Sequence, residues 1–376
     1  MPMTDLSPTS FVASGFEPVA DTFLENFSNG LELGAGFAAF HDGECVIDIQ
    51  AGFTDRKSTA PWTDTTLVPV YSVSKGISAL VIAYLVEQGR IDYAKPLSDY
   101  WPEFAAHGKG EVSVAEALSH QAGVPGFVEP IDPELWLTPR ALSARLAEEP
   151  PQWTPGTGSG YHPLSWGYIA GELVARVSER SLGTLLRDEI CAPLGIDFHI
   201  GLPASEHERC ADLKRPSAFP DLGEITDTRR SAFLTKWASP NRGGAIWREI
   251  EIPSANGHGT ARAVARLYGA YANGGQIEGR TLFGRAVYDA LTRVYTTGPD
   301  RVLPFDMSFG AGIMQNSNLA FGPDRATLGH SGWGGSAAFG DANRNLSAAY
   351  VMNKQSNILL GDPRPTRLFA SFYGCL

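Results

Sequence analysis

Two runs rich in apolar and β-branched residues, 46–51 and 346–351, sit near opposite ends of the chain, and each reads as a short strand bounded by turn residues. Between them lie helical patterns. Residues 77–88 place Ile77, Leu80, Val81, Tyr84 and Leu85 at helical spacing and stop at Gly89; further helices are read at 114–118, 139–146, 166–177, 182–190 and 261–271. Strands at the two ends with helices inserted between them require the ends to return to one sheet. The expected fold is α/β (α+β): an antiparallel sheet from both chain ends flanked by helices, with an inserted, mainly helical lobe. One domain spanning 1–376 is expected, its sheet lobe from 10–70 plus 260–376 and its helical lobe from 71–259, with a site in the cleft between them. A loop dense in breakers (Pro150, Pro151, Pro155, Gly156, Gly158, Gly160) and an irregular tract at 221–255 interrupt the helical part.

Composition removes several classes of function. A chain of 376 residues, 43% hydrophobic, has ample material for a core. A net charge of −11 and no local Arg/Lys run leave little surface for nucleic acid. No stretch of about eighteen uncharged apolar residues suggests a membrane span, and the first residues lack a basic and apolar leader, so a cytoplasmic protein is expected. Cys45, Cys191, Cys210 and Cys375 are too scattered for a zinc site or a disulfide framework and read as reduced structural thiols. Eight histidines form no paired cluster with metal-ligand spacing, so neither metal nor cofactor is expected.

The sharpest local feature is Tyr71-Ser72-Val73-Ser74-Lys75-Gly76, where a strand-like run, 66–71, meets the helix at 77–88. Residues three apart share a helix face, so the Lys75 amine can reach the Ser72 hydroxyl. A serine hydroxyl needs a base to become a nucleophile, and a lysine serves when burial depresses its pKa. The helix N-terminus favours the alkoxide. The ordinary reading of such a motif is a helix cap followed by a solvated lysine. Ser74 is the rival nucleophile, on a different face.

Several flanking segments resemble, in order, the serine β-lactamase and penicillin-binding-protein superfamily. They are Ser72-Val-Ser-Lys-Gly; Leu85-Val-Glu-Gln-Gly-Arg-Ile-Asp; Leu97-Ser-Asp-Tyr-Trp-Pro-Glu-Phe; Val114-Ala-Glu-Ala-Leu-Ser-His-Gln-Ala-Gly-Val-Pro; Gly257-His-Gly-Thr-Ala-Arg; and Asn273-Gly-Gly. The resemblance runs from about residue 40 to the end and implies the β-lactamase/transpeptidase-like fold. It makes Ser72 the nucleophile, Lys75 its partner and Tyr161 the proton relay of a second motif, Tyr-x-Asn. Pro163 stands where β-lactamases carry that asparagine. For the third motif, Lys-Thr-Gly, the counterpart is His330-Ser331-Gly332, which makes Trp333 the donor that completes an oxyanion hole with the Ser72 N–H. A register shifted to Trp333-Gly334-Gly335 would move that donor to Ser336. His120 and His258 fall in segments read as structural.

The superfamily contains β-lactamases, D,D-peptidases, esterases and acyltransferases, so the fold alone leaves the substrate open. Three departures point to esters. His330 replaces a permanent cation and is expected to be neutral near pH 7 but charged below about 6.5. Pro163 removes a carboxamide, and no export signal is seen. The chain thus resembles the family VIII carboxylesterases, which implies a small-molecule ester as substrate and an acyl-enzyme on Ser72. A β-lactam as ligand, a β-lactamase, D,D-peptidase-like or acyltransferase activity, and, more distantly, a non-catalytic scaffold are the alternatives.

Overall fold

A computed structural model describes residues 5–238 and 242–376. Nine antiparallel strands form its main sheet: β1 (Phe11–Val12), β2 (Gly34–His41), β3 (Glu44–Gly52), β4 (Thr296–Pro299), β5 (Asp306–Phe309), β6 (Met314–Gln315), β7 (Leu328–Ser331), β8 (Ala337–Asp341) and β9 (Leu346–Met352). The spatial order is β1-β3-β2-β9-β8-β7-β6-β5-β4. The two chain ends therefore meet where β2 pairs with β9, Ala38 opposite Ala349.

β9 is buried at every position because both of its faces feed a core. Successive side chains point to opposite sides. Ala348 and Tyr350 join Phe23 of helix α1 (Glu17–Ser28) and Phe369 and Phe372 of the C-terminal helix (Pro363–Gly374). Ala349 and Val351 face the other way, into the core that holds Val264 and Leu267 of helix Ala261–Ala272. Helices thus cover both faces of the central strands. In β7 the same alternation puts Leu328 and His330 on one side and Gly329 and Ser331 on the other.

Helix α2 (Val73–Glu87) was expected to be amphipathic from Ile77 onward. It is instead central: twelve of its fifteen residues are buried. A helix apolar on all sides belongs inside the protein, and Gly76, lying against the Tyr268 side chain, admits its neighbour closely. Helices α3 (Val114–Leu118), α4 (Pro139–Ala147) and α5 (Ser165–Ser178) occupy the expected positions within one or two residues. Ser113 and Glu116 close a capping box at the start of α3.

Two expectations change. Of residues 66–71 only Val68–Pro69 is strand, paired to His258–Gly259 in a small separate sheet, because Pro69 has no N–H to extend a ladder. The helix read at 182–190 is Leu182–Leu185 followed by a π-helical turn, Leu186–Cys191. Among its described residues the tract 221–255 holds two short α-helices, Asp227–Phe233 and Ala245–Glu249, and a 3-10 turn, Lys236–Ala238, between irregular segments. No helix among the described residues is long and apolar enough to cross a membrane.

Candidate active site

Tyr71 adopts a left-handed backbone, φ +49°, which costs a residue with a Cβ about 1–2 kcal/mol. This turn ends the strand and sets Ser72 at the N-terminus of α2, half-buried at the edge of a cleft. Ser74 points elsewhere. Its hydroxyl is fully buried and accepts the Gly257 N–H at 3.0 Å.

Lys75 is fully buried one turn on. Its Nζ lies 3.2 Å from Ser72 Oγ and donates to the Pro163 carbonyl (2.8 Å) and the Ser254 carbonyl (3.2 Å); in the neutral amine these two carbonyls take both N–H groups and leave the lone pair for the Ser72 hydroxyl. No carboxylate of the described residues forms an ion pair with it. Burial without an opposite charge holds the amine well below the usual lysine range.

Tyr161 closes the triangle. It lines the cleft together with Ser72, and its ring centre lies 4.7 Å from Lys75 Nζ. Burial pushes the phenol above its ordinary pKa. The depressed lysine and the raised tyrosine are both shifted toward their neutral forms, the direction an amine needs to act as a base.

The glycine-rich loop is anchored by Asp300, a residue for which the sequence offered no local signal. Its buried carboxylate accepts from the N–H groups of Tyr161 (2.9 Å), Val302 (2.9 Å) and Leu303 (2.8 Å) and from Ser159 Oγ (2.8 Å). Burial outweighs these bonds and raises its pKa. His162 is fixed as the neutral tautomer: Nε2 accepts the Val124 N–H at 3.1 Å, so Nδ1 donates to the Gly160 carbonyl at 2.6 Å. His120, in a left-handed turn with φ +68°, accepts the His162 N–H at 3.1 Å and packs its ring 4.7 Å from Tyr161. His258 is fully buried, with its Nδ1 2.7 Å from the Asn256 carbonyl. Sequence reasoning missed the Pro163 and Ser254 carbonyls because a backbone acceptor has no letter of its own.

β7 ends at Ser331, opposite Ala337, and a tight loop leads to β8. The Gly332 N–H donates to the Ser336 carbonyl at 2.7 Å. A Cβ at Gly332 would strike the Val70 carbonyl, two residues from the serine, so only glycine allows this approach. Gly335 needs the same freedom for its φ of +117°. Ser331, Gly332 and Trp333 line the cleft with Ser72 and Tyr161, whereas the Ser336 hydroxyl turns back to Val70 O at 2.8 Å. Among the described residues the N–H groups of Ser72 and Trp333 donate to no backbone carbonyl. His330 is buried, with its ring centre 6.2 Å from that of Tyr161. The expected protonation below pH 6.5 does not hold: burial, reinforced by the nearby Lys75 amine when it is protonated, pushes its pKa down to about 3.

The remaining wall is apolar, with Leu164, Phe233, Trp247, Leu303 and Met314, apart from Arg242. Among the described residues all four cysteines are unpaired. Burial pushes the Cys191 thiol up to about 12, which keeps it unreactive. No three His, Cys, Asp or Glu side chains converge among the described residues.

The model of the Beta-lactamase family matches residues 23–370. The chain belongs to that family. Within it, the chain is 33% identical over 353 residues to Esterase/beta-lactamase LipL of Mycobacterium tuberculosis, covering 90% of this chain and 81% of LipL. Among solved structures of the beta-lactamase fold it resembles a penicillin-binding protein homolog from Caulobacter crescentus, with a TM-score of 0.96 and 49% identity over 99% of this chain and 100% of that one. A family VIII carboxylesterase superposes with a TM-score of 0.91 at 38% identity, again over 99% and 100% of the two chains. The protein is thus a hydrolase of the beta-lactamase fold.

Proposed function

We propose that this family member is a serine carboxylesterase that works through an acyl-enzyme on Ser72. The observation that carries the reading is Lys75, a fully buried amine with no carboxylate partner among the described residues, 3.2 Å from Ser72 Oγ. Its neutral form takes the Ser72 proton as Oγ attacks the ester carbonyl. The charge that develops on the carbonyl oxygen is met by the N–H groups of Ser72 and Trp333, which are free of backbone acceptors among the described residues. Collapse breaks the bond to the alcohol oxygen, and the proton passes from Lys75 by way of the Tyr161 hydroxyl to the departing alcohol. Water then attacks the acyl carbon, gives up its proton along the same relay, and releases the acid and Ser72. The Pro163 and Ser254 carbonyls steady the transient ammonium.

Ester chemistry is favoured over β-lactam cleavage by the third motif, in which His330 supplies no cation, and by Pro163, which has no side-chain amide. The names of LipL and of the family VIII carboxylesterase support the same direction. A second, weaker β-lactam activity has one support, the double name of LipL. The test compares kcat/KM for a short para-nitrophenyl ester and for nitrocefin, with wild type and S72A. Ester turnover well above nitrocefin turnover, lost in S72A, is expected; the reverse order would replace the esterase reading by a β-lactamase one.

A further inference from the structure

We propose that Arg242 is the anion-recognition residue of this cleft, and that the substrates are esters whose acyl or alcohol portion carries a carboxylate. The proposal rests on the esterase reading and adds a substrate class to it.

Among the described residues Arg242 is the single formally charged side chain in the cleft wall that holds Ser72, Tyr161 and Trp333. Its guanidinium lies 5.0 Å from the centre of the Trp333 ring, so it sits beside the residue that would donate to the oxyanion. One donor goes to the Ala238 carbonyl at 3.0 Å. A guanidinium has five, in a planar fork that fits a carboxylate at two points. Ten of the other 22 arginines form ion pairs with carboxylates; Arg242 forms none with the described residues, and Ser239, Pro240 and Asn241 just before it carry no acid.

The surroundings repeat the pattern. Arg56, Lys214, Arg215 and Arg248 share with Arg242 the hollow next to the cleft, where Asp212 is the one acid in the wall. Arg56 donates to the Leu213 carbonyl, Arg248 to the His207 carbonyl, and Arg215 to the Arg242 carbonyl at 3.1 Å. None of the four is ion-paired among the described residues. In a chain with 41 acidic and 30 basic residues, five cations without carboxylate partners at one mouth make a local positive field that draws anions to the site. The buried, neutral His330 contributes no charge, so the cleft takes its cation from a different segment. A role confined to packing on Trp333 would leave the charge itself without consequence, and that is the distinction to measure.

The experiment uses two matched substrate pairs with the full-length enzyme. Mono-para-nitrophenyl adipate against para-nitrophenyl hexanoate places the carboxylate in the acyl part; para-carboxyphenyl butanoate against phenyl butanoate places it in the alcohol part. The expected result is that R242Q lowers kcat/KM for the charged member of at least one pair about ten- to a hundredfold more than for its neutral partner. R242K should keep most of the preference, and added salt should erode it in the wild type. Equal losses within both pairs, or no wild-type preference for a charged member, would overturn the proposal while leaving the esterase reading intact. Calorimetric binding of adipate to S72A and to the S72A/R242Q double variant reads the arginine without turnover. Binding that is lost with Arg242 supports the proposal even if no ester is cleaved, and binding unchanged by R242Q contradicts it.

Discussion

Asp300 touches no reacting atom, yet it should decide how well Tyr161 works, and two substitutions separate its charge from its shape. One carboxylate oxygen accepts three backbone N–H groups and the other accepts Ser159 Oγ. Asp300→Ala leaves these four donors without their acceptor in a buried site. At about 1–3 kcal/mol for each stranded group, discounted because the loop can relax toward water, the loss of stability should be about 3–6 kcal/mol. Asp300→Asn keeps an oxygen for the three amides and turns an amide nitrogen toward Ser159, whose hydroxyl can accept. The raised pKa of Asp300 means that burying its charge costs more than the hydrogen bonds return, so the neutral isostere should cost no more than about 1–2 kcal/mol. A displacement of the Tyr161 hydroxyl by about 1 Å is worth about a hundredfold in rate. Urea denaturation gives the stabilities, and ester kinetics at a denaturant-free temperature where both variants are folded give the activities. In Asp300→Ala, kcat should fall about a hundredfold with a smaller change in KM, and Asp300→Asn should remain within about tenfold of wild type. If folded Asp300→Ala retains full kcat, or if Asn is as damaging as Ala, Asp300 does not position Tyr161 through these bonds.

The depressed pKa of Lys75 fixes a pH dependence: kcat/KM for a neutral ester should rise with pH through that pKa, since the ammonium cannot take the Ser72 proton, and K75R, charged throughout, should lose about 10²–10⁴-fold. The same shift makes unfolding take up a proton between the folded-state pKa and the ordinary lysine value, so stability should rise with pH across that window, and pH-dependent urea midpoints in wild type but not in Lys75→Met would check it. Because His330 stays neutral down to about pH 3, the ratio of acylation rates for benzylpenicillin and a neutral short ester should be the same at pH 6 and pH 8; a ratio that climbs as the pH falls would mean that His330 is more exposed to solvent than its burial indicates. Ser74→Ala removes the acceptor of the buried Gly257 N–H and should cost about 1–3 kcal/mol by urea denaturation while leaving ester turnover in place.

Strands β3 and β9 were legible because they are apolar runs of ordinary strand length, and their position at the two chain ends implied the return of the chain. β4 to β6 were not, since two to four residues with Gly298 and Pro299 among them carry no alternation to detect. Helix α2 misled for the opposite reason: its buried faces include Gly76, Ser78, Ala79 and Ala83, whose small size serves packing but reads as a weak polar side. At the site, Ser72 and Lys75 were recognisable from their spacing, and Tyr161 only through resemblance, because its breaker-rich loop marks a turn but no chemistry and lies far along the chain from Lys75. Asp300, the two carbonyls on Lys75 and Arg242 are brought in by tertiary folding from distant segments. The titration of His330 went astray because its burial beside Lys75 is a property of the packed sheet, not of the residue type.

The central claim, that Ser72 is the acylated nucleophile, is tested most directly by covalent labelling. Intact mass after incubation with a fluorophosphonate should show one adduct in wild type, and fragmentation should place it on Ser72 within the peptide that also holds Ser74. The adduct should be absent from S72A and present in folded S74A. Labelling that survives in S72A, or that maps to Ser74, would contradict the account.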